Sequence, residues 1–570
     1  MISDDLHAQV TAWMADDPDE GDRAELAALL RAACEPADSE ETKRAAAELA
    51  DRFAGRLEFG TAGLRGAVGA GPNRMNRAVV RETTAALASW LLYVDPSAAQ
   101  TGVVIGCDAR HRSDEFAYEA AAVLAAAGLP VHLLPQRQPT PLLAFAVTHL
   151  GAAAGIMITA SHNPPADNGY KLYLSDGAQI VPPADLEIEA AIRSLGSVSR
   201  VPVAAINDPL IVQHGDEIAA DYLDAICALS PAPRGAAWLR YIYTPLHGVA
   251  CDLALRAFEQ AGFPPPDLVE AQAQPDPDFP TVAFPNPEEP GTLDLALAQA
   301  RRSGADLILA NDPDGDRLAV AVPDDAAPGG WRMFTGDQIG ALLGAYLLGR
   351  DSGDPSRKPL VATTIVSATM LASIASAAGA GYAETLTGFK WIARAGDLRP
   401  ENRFIFGYEE ALGYTIGTTV RDKDGIGAAL AVLSLAARAR SGGESLLEAY
   451  DALEVAHGVH LTEQLTVPTT EPVHVMSRLR ASAPADLGGE PIISMSDLTG
   501  GIGELPSADV LRYRLRGARV VIRPSGTEPK IKAYLEIVEP VIAGRLTEAR
   551  RAAKARMEPL RTAVRALLDG

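Results

Sequence analysis

At 570 residues the chain is too long for one hydrophobic core and predicts roughly three to five domains. Hydrophobic residues make up 48% and charged ones 22%, and no apolar run reaches the roughly 18 residues of a membrane span, which excludes a helical membrane protein. Fifty Lys and Arg against 73 Asp and Glu leave a formal charge of −23, a field that repels nucleic acid and anionic membranes. An anionic ligand would need a local basic site that reverses it. The opening Met-Ile-Ser-Asp-Asp has no basic region followed by an apolar core, so the expected compartment is the cytoplasm. Cys34, Cys107, Cys227 and Cys251 form no C-x-x-C pair, which suits reduced packing thiols rather than disulfides or structural zinc.

Residues 1–56 are rich in Ala, Leu, Glu and Asp at helical spacing, as in 25–34 and 41–53, and read as a helical extension. A glycine-rich stretch follows, Leu57-Glu-Phe-Gly-Thr-Ala-Gly-Leu-Arg-Gly-Ala-Val-Gly-Ala-Gly-Pro, with Arg65 at its middle. Its glycines let backbone amides approach a ligand closely, although a plain surface loop reads the same way. From there the pattern alternates: apolar 102–106, helical 115–127, apolar 131–134, helical 141–150, then an apolar run over 152–158, a β-α-β-α-β rhythm within a first domain at 57–235. That run stops at Ser161 in Thr-Ala-Ser-His-Asn-Pro-Pro, where the two prolines end any ladder, so Ser161 is expected where strand gives way to loop. Such edges often carry chemistry, but a serine there is also an ordinary turn former. Asn168-Gly169 and Asp176-Gly177 predict hairpin turns around an antiparallel element that would hold Lys171 near Ser161.

A second α/β domain is expected over 236–333, with strand-like 239–243, helical 252–260, a proline-rich connection over 264–290, helical 292–303 and apolar 306–310. A third over 334–459 has helical 337–348, apolar 360–365, helical 368–378, strand-like 403–406 and helical 426–439. Three α/β domains in a row suggest triplication without a residue-level repeat. The remainder, 460–570, with strands near 518–523 and 531–538 and a helix over 545–568, reads as a smaller α+β domain.

Three further loops carry chemistry. Asn311-Asp-Pro-Asp-Gly-Asp-Arg317 places Asp312, Asp314 and Asp316 directly after a buried run. Carboxylates so crowded raise one another's pKa unless a cation sits among them, and hard oxygen ligands suit Mg²⁺; a solvated acidic turn is the plain alternative. An EF-hand does not fit, since Arg317 stands at its glycine position and Pro323 at its glutamate position. Gly407-Tyr-Glu-Glu-Ala-Leu-Gly-Tyr414 offers a glutamate pair that suits sugar hydroxyls, or simply an exposed helix start. Arg523-Pro-Ser-Gly-Thr-Glu-Pro-Lys530 combines guanidinium, hydroxyls and glycine, a set that fits a phosphate monoester without being a P-loop.

With these four loops in this order, the sequence resembles the α-D-phosphohexomutase superfamily of phosphoglucomutases and phosphomannomutases, over nearly everything except the N-terminal extension. The resemblance implies an α/β protein of four domains around a central cleft, three of them related α/β domains, the fourth α+β and mobile. It makes Ser161 the phosphoryl carrier and has Asp312, Asp314 and Asp316 hold Mg²⁺ together with a phosphoserine oxygen. Glu409 would read sugar hydroxyls, while Arg523, Ser525, Gly526 and Thr527 would grip the non-reacting phosphate. Arg65, His162, Lys171, Arg317, Lys390 and Lys423 also fall in active-site stretches of the family. Lys171 is the candidate for acid/base work, which requires cationic neighbours to lower a pKa near 10.

The implied reaction interconverts hexose 1- and 6-phosphates through phospho-Ser161 and a sugar bisphosphate, with a sugar bisphosphate such as glucose 1,6-bisphosphate as activator. Ala411 departs from the serine common in phosphoglucomutases at Glu-Glu-Ser. That departure resembles the branch with bacterial phosphoglucomutase/phosphomannomutases, phosphopentomutases and a glucose 1,6-bisphosphate synthase, and it leaves glucose, mannose and pentose phosphates open. A serine-dependent metal phosphatase and a non-catalytic phosphosugar-binding protein are the alternatives from other classes. The expected partners are a phosphosugar and, at most, a second copy of the chain.

Overall fold

The apolar run before Ser161 folds as the strand Ala154–Ile158, all five residues buried. In this computed structural model, which describes residues 2–35, 39–60, 63–351, 353–354, 356–525 and 530–569, the chain divides into two compact units. The first comprises Met1–Ala232, Ala237–Ala319 and Thr419–Leu430; the second comprises Pro233–Ala236, Val320–Thr418 and Ala431–Gly570.

In the first unit, Ala154–Ile158 pairs in parallel with Val103–Cys107, which pairs in parallel with Val131–Leu133, and that strand with Ile211–Gln213. On its other side Asp167–Leu174 runs antiparallel to it and to Leu64–Ala67, completing a six-stranded sheet. Side chains alternate across the pleat. Val103, Ile105, Ile156 and Ile158 pack with Leu87 of the helix Arg77–Val94 and Phe116 of the helix Ser113–Ala126. Gly106 and Gly155 instead face Leu143 and Val147 of the helix Thr140–His149. Both faces are therefore covered, which is why these strands read as unbroken apolar runs.

Lys171 is held in an antiparallel element beside the serine loop, as the sequence predicts, with Met157 as its partner across the ladder. Of the two expected turns, Asp176-Gly177 forms, with the Gly177 amide donating to the Leu174 carbonyl at 2.8 Å, and Asn168-Gly169 does not. Asn168 and Gly169 are inside the strand Asp167–Leu174, opposite Gly66 and Arg65. Glycine is required at 169 because a Cβ would meet the carbonyl oxygens of Thr159 and Leu64 at 2.6 and 2.8 Å. Close strand approach, not turn formation, explains the residue.

The N-terminal extension forms three helices, Asp4–Asp16, Glu20–Ala33 and Glu40–Arg52, each N-capped by a side chain, from Ser3, Asp19 and Ser39. Val10, Leu26, Ala33 and Leu49 share their core with Ala70 of the glycine-rich segment. Arg52 donates to the Ala70 carbonyl at 3.0 Å and Glu25 accepts from the Ala70 amide at 3.2 Å, so the extension grips the loop that follows Arg65. A second, parallel set of strands, Tyr241–Thr244, Asp267–Leu268 and Leu307–Asn311, delivers the chain into the aspartate loop.

Two larger sheets of the second unit carry the remaining candidate residues. Gly381–Thr385, Pro359–Thr364 and Arg403–Glu409 are parallel, and Gly413–Ile416 returns antiparallel to Arg403–Glu409, placing Glu409 at a hairpin end rather than a helix start. The C-terminal sheet is wholly antiparallel, in the order Val459–Pro468, Lys530–Glu539, Ala518–Pro524, Leu511–Leu515, Ser494–Asp497. One of its faces buries Val520, Ile522, Ala533, Leu535 and Ile537 against the helix Leu546–Asp569 through Ala553, Met557 and Val564. Helices Arg77–Val94, Glu217–Leu229 and Leu446–His457 were not among the expected elements.

Candidate active site

Ser161 stands just past its strand in the left-handed backbone region, at φ 52°, a conformation that costs a non-glycine residue energy and persists only where surroundings enforce it. Arg110 enforces it. Its guanidinium donates to the carbonyls of Ser161 (2.7 Å), Asn163 (2.6 Å), Pro164 (2.7 Å) and Asp167 (3.0 Å), while the Ser161 amide donates to Thr159 Oγ1 at 2.9 Å. Five backbone groups are thereby fixed around one hydroxyl. Ser161 Oγ donates to Asp312 Oδ2 at 2.8 Å and lies 3.3 Å from His162 Nδ1. Arg65 reaches the same loop through Asn163 Oδ1 at 3.2 Å. Sequence reasoning missed Arg110; an arginine between Asp108 and Ser113 carries no motif, and its partners are carbonyls some fifty positions away.

The aspartate loop turns at Gly315, φ 71°, where the Gly315 amide donates to the Asp312 carbonyl. The side chains of Asp312, Asp314 and Asp316 are buried, and one oxygen from each lies within 4.8 Å of the others. Lys171 Nζ donates to Asp314 Oδ2 at 2.7 Å and Asp316 Oδ2 at 3.0 Å; Lys423 Nζ lies 3.3 Å from Asp316 Oδ2. Thr140 binds Asp314 twice, with its hydroxyl to Oδ2 at 2.6 Å and its amide to the carbonyl at 2.9 Å. Arg317 donates its amide to Asp312 Oδ1 at 2.9 Å. At Gly425 a Cβ would meet the Arg317 carbonyl at 2.3 Å and the Asn311 side chain at 2.5 Å, so only glycine lets that segment close against the loop.

Burial and the two neighbouring carboxylates push Asp312 well above the usual carboxylate range. For Asp314, burial acts the same way but is outweighed by Lys171 and by hydrogen bonds, and the group is held down. Burial drives His162 well below an ordinary histidine, helped by Arg317 and Arg65, which leaves it neutral. Lys171 runs opposite to expectation. Burial lowers it, but Asp314 and Asp316 outweigh burial and raise it above an ordinary lysine, because its nearest charges are anionic rather than cationic. Asp314 Oδ1 and Asp316 Oδ1 are buried yet accept no hydrogen bond among the described residues. Three clustered carboxylates with two such oxygens fit a hard divalent cation.

The second unit carries the remaining expected residues. Glu409 is half-buried at the end of its strand. Lys390 lies in the short helix Phe389–Ile392 after Gly388. Arg523, also half-buried, stacks over the Tyr534 ring with 5.9 Å to the centroid, and the Ser525 amide donates to the Lys530 carbonyl at 2.9 Å, closing the base of the phosphate loop. Burial, Glu410 and Glu409 push the Tyr534 phenol up to about 12 against the opposing pull of Arg523. Gly526 and Thr527 lie outside the described residues.

A strained serine held against a buried carboxylate triad, flanked by lysines and arginines, on α/β sheets is the equipment of a phosphoryl-transfer enzyme. Four family models match in succession: phosphoglucomutase/phosphomannomutase α/β/α domain I at residues 56–198, domain II at 220–327, domain III at 335–454, and the C-terminal domain at 470–553. The chain belongs to the phosphoglucomutase/phosphomannomutase family of the α-D-phosphohexomutase superfamily, whose members are mutases, and it has that family's four-domain architecture. It is 40% identical over 472 residues to a protein named "Probable phosphomannomutase" of Haemophilus influenzae, covering 81% of this chain and 93% of that one. It is 37% identical over 540 residues to the phosphopentomutase of Homo sapiens, covering 86% and 87%. Its fold matches the open form of the Paramecium phosphoglucomutase pp63/parafusin, with a TM-score of 0.66 at 17% identity over 90% of this chain and 97% of that one.

Proposed function

We propose that this enzyme is a Mg²⁺-dependent phosphosugar mutase that interconverts hexose 1- and 6-phosphates through phospho-Ser161 and a bound sugar bisphosphate. The observation that carries the reading is the 2.8 Å contact between Ser161 Oγ and Asp312 within a buried carboxylate triad. Asp312, Asp314 and Asp316 would hold Mg²⁺, which neutralises charge on a transferring phosphoryl group when bound. Lys171 pairs with Asp314 and Asp316, and Lys423 with Asp316, beside that site. Arg110 presents the Ser161 oxygen, and His162 Nδ1 is the neutral nitrogen placed to hold a proton beside it. Lys171, held against Asp314 and Asp316, is the candidate for acid/base work.

In the second unit, Glu409 takes sugar hydroxyls, and Arg523 with Ser525 takes the phosphate that does not react, a guanidinium and a hydroxyl being apt donors to a monoester. Lys390 supplies further positive charge. The substrate class also agrees with a basic site set in a chain of charge −23, a field that disfavours nucleic acid as a partner. The unpaired cysteines agree with a cytoplasmic enzyme.

A pentose reading is favoured by one feature. Ala411 stands where the resemblance implies a serine in phosphoglucomutases, and relatives 36% and 37% identical are named phosphopentomutases. A panel of glucose, mannose and ribose 1-phosphates, each with a catalytic amount of the matching bisphosphate, separates the two. The hexose reading expects the higher kcat/KM on glucose or mannose 1-phosphate; a tenfold or greater preference for ribose 1-phosphate overturns it. Release of inorganic phosphate faster than isomer formation on every sugar overturns the mutase reading itself.

A further inference from the structure

The face of the C-terminal sheet opposite its apolar core is polar and nonetheless buried. Arg519, Val521 and Arg523 alternate onto this face from one strand, and their cross-strand partners Glu536, Tyr534 and Lys532 lie on it from the next. Val521 and Tyr534 pack with Ile365, Val366 and Leu386 of the neighbouring α/β sheet. Arg519 extends the contact as a buried charge. It pairs with Glu536 at 2.9 Å and Glu384 at 3.3 Å, and it donates to the carbonyls of Ile365, at 3.1 Å, and Ser367.

Those two carbonyls belong to the turn behind the sugar loop. Ser367 Oγ donates to Glu410 at 3.0 Å and Thr364 Oγ1 donates to it at 3.1 Å, with the two hydroxyls 2.8 Å apart. Glu410 is therefore committed inward by the same turn that Arg519 holds, and Glu409 immediately precedes it at the end of the strand Arg403–Glu409. We propose that Arg519 is a positioning residue: a buried strut from the strand that carries Arg523, through the 364–367 turn and Glu410, to Glu409, which sets the spacing between the phosphate grip and the sugar reader. The inference rests on the mutase reading for the roles of Arg523 and Glu409.

The arrangement has a physical reason. Glu409 and Arg523 must stay solvated enough to exchange substrate, so neither can be rigidified by burial, and rigidity has to be supplied by a compensated pair behind them. A guanidinium can bridge two carbonyls and two carboxylates at once, whereas an ammonium is a single point donor.

The test uses the full-length enzyme with Arg519→Lys and Glu410→Gln, singly and together, and Ser367→Ala, which removes only one hydroxyl from the strut. Expected is a loss of about tenfold in kcat/KM on the preferred sugar phosphate for each, the size of one charge-assisted hydrogen bond, with KM moving more than kcat. The double variant should lose no more than the worse single one, since both cut the same path. Hydrolysis of phospho-Ser161 by water, and Mg²⁺ affinity, should stay at wild-type values because their groups lie in the first unit. Wild-type kcat/KM in Arg519→Lys, losses that multiply in the double variant, or a parallel loss of phosphoserine hydrolysis each overturn the strut. Should Arg519→Lys not fold, Ser367→Ala decides alone by the same readouts. A wild-type enzyme that turns over no sugar phosphate removes the mutase reading instead, so the two failures are distinguishable.

Discussion

The two units hold their functional groups by different means. In the first, Ser161, Asp312, Asp314, Asp316, Lys171 and Lys423 are all buried, and Lys171 and Lys423 pair with Asp314 and Asp316 inside the cluster itself. In the second, Glu409 and Arg523 are half-buried, and the compensated charges, Arg519, Glu384 and Glu536, lie one layer behind. On the proposed function, the difference follows from what each would do. A phosphoryl group and a divalent cation need a fixed field of low dielectric, and removing water strengthens every interaction in it. A reader of sugar hydroxyls must release its ligand in every cycle, so its rigidity has to come from elsewhere.

The largest test of this contrast is Ser161→Ala. Turnover should fall by about 10⁴-fold or more, and mass spectrometry should find no phosphate at that position, with the fold unchanged by circular dichroism. Full activity in this variant breaks the mechanism. Next is Asp314→Asn, which leaves Lys171 beside a neutral amide. Mg²⁺ affinity measured by calorimetry should fall about 100-fold or more, and Thr140→Val, which removes only a supporting hydroxyl, should lower it about tenfold. Equal affinity in all three proteins would mean the cluster is not a metal site. Arg110→Gln frees carbonyls around Ser161, so kcat should drop about 100-fold while the affinity of the second unit's phosphate loop for substrate, read from KM, changes little.

Acid sharpens the comparison for the second unit. Burial opposes ionisation of Glu536, but Arg519 and His460 outweigh it and hold the carboxyl at about 2. A depressed folded pKa stabilises above the unfolded value, so this contribution is fully present above pH 4.5 and is lost as pH falls through about 2. It amounts to about 3 kcal/mol at neutral pH. Denaturation midpoints of the wild type should fall across that window, and Glu536→Gln should start lower and vary less; parallel profiles would show that the pair is not what holds the sheet. The smallest effect is expected at Ala411→Ser. One restored hydroxyl should shift the ratio of kcat/KM between glucose and ribose 1-phosphates by no more than about tenfold toward glucose.

Much of the site was legible because its chemistry is local in sequence. Three aspartates in a row of alternate positions, a serine between an apolar run and two prolines, and an arginine ahead of Ser-Gly-Thr each announce themselves within a few residues. The supports were not legible. Arg110 and Arg519 bind backbone carbonyls contributed by distant segments, and any residue type supplies a carbonyl. The helix Arg77–Val94 escaped the pattern because its buried residues include the polar Arg81, Glu82, Thr83 and Thr84, so polarity and burial do not coincide along it. Asn168-Gly169 read as a turn because propensity cannot tell a glycine that bends the chain from one that lets strands approach.

By itself, then, the sequence determined the inventory of the protein: its class of fold, the order of its loops, and the residue types able to move and bind phosphate. Tertiary structure decided which charges neutralise which. It set Lys171 against Asp314 and Asp316, and it set Glu410 against the hydroxyls of Thr364 and Ser367. The reason is that a charge's behaviour depends on distances of a few ångströms and on the water removed around it, and both exist only after the chain has folded.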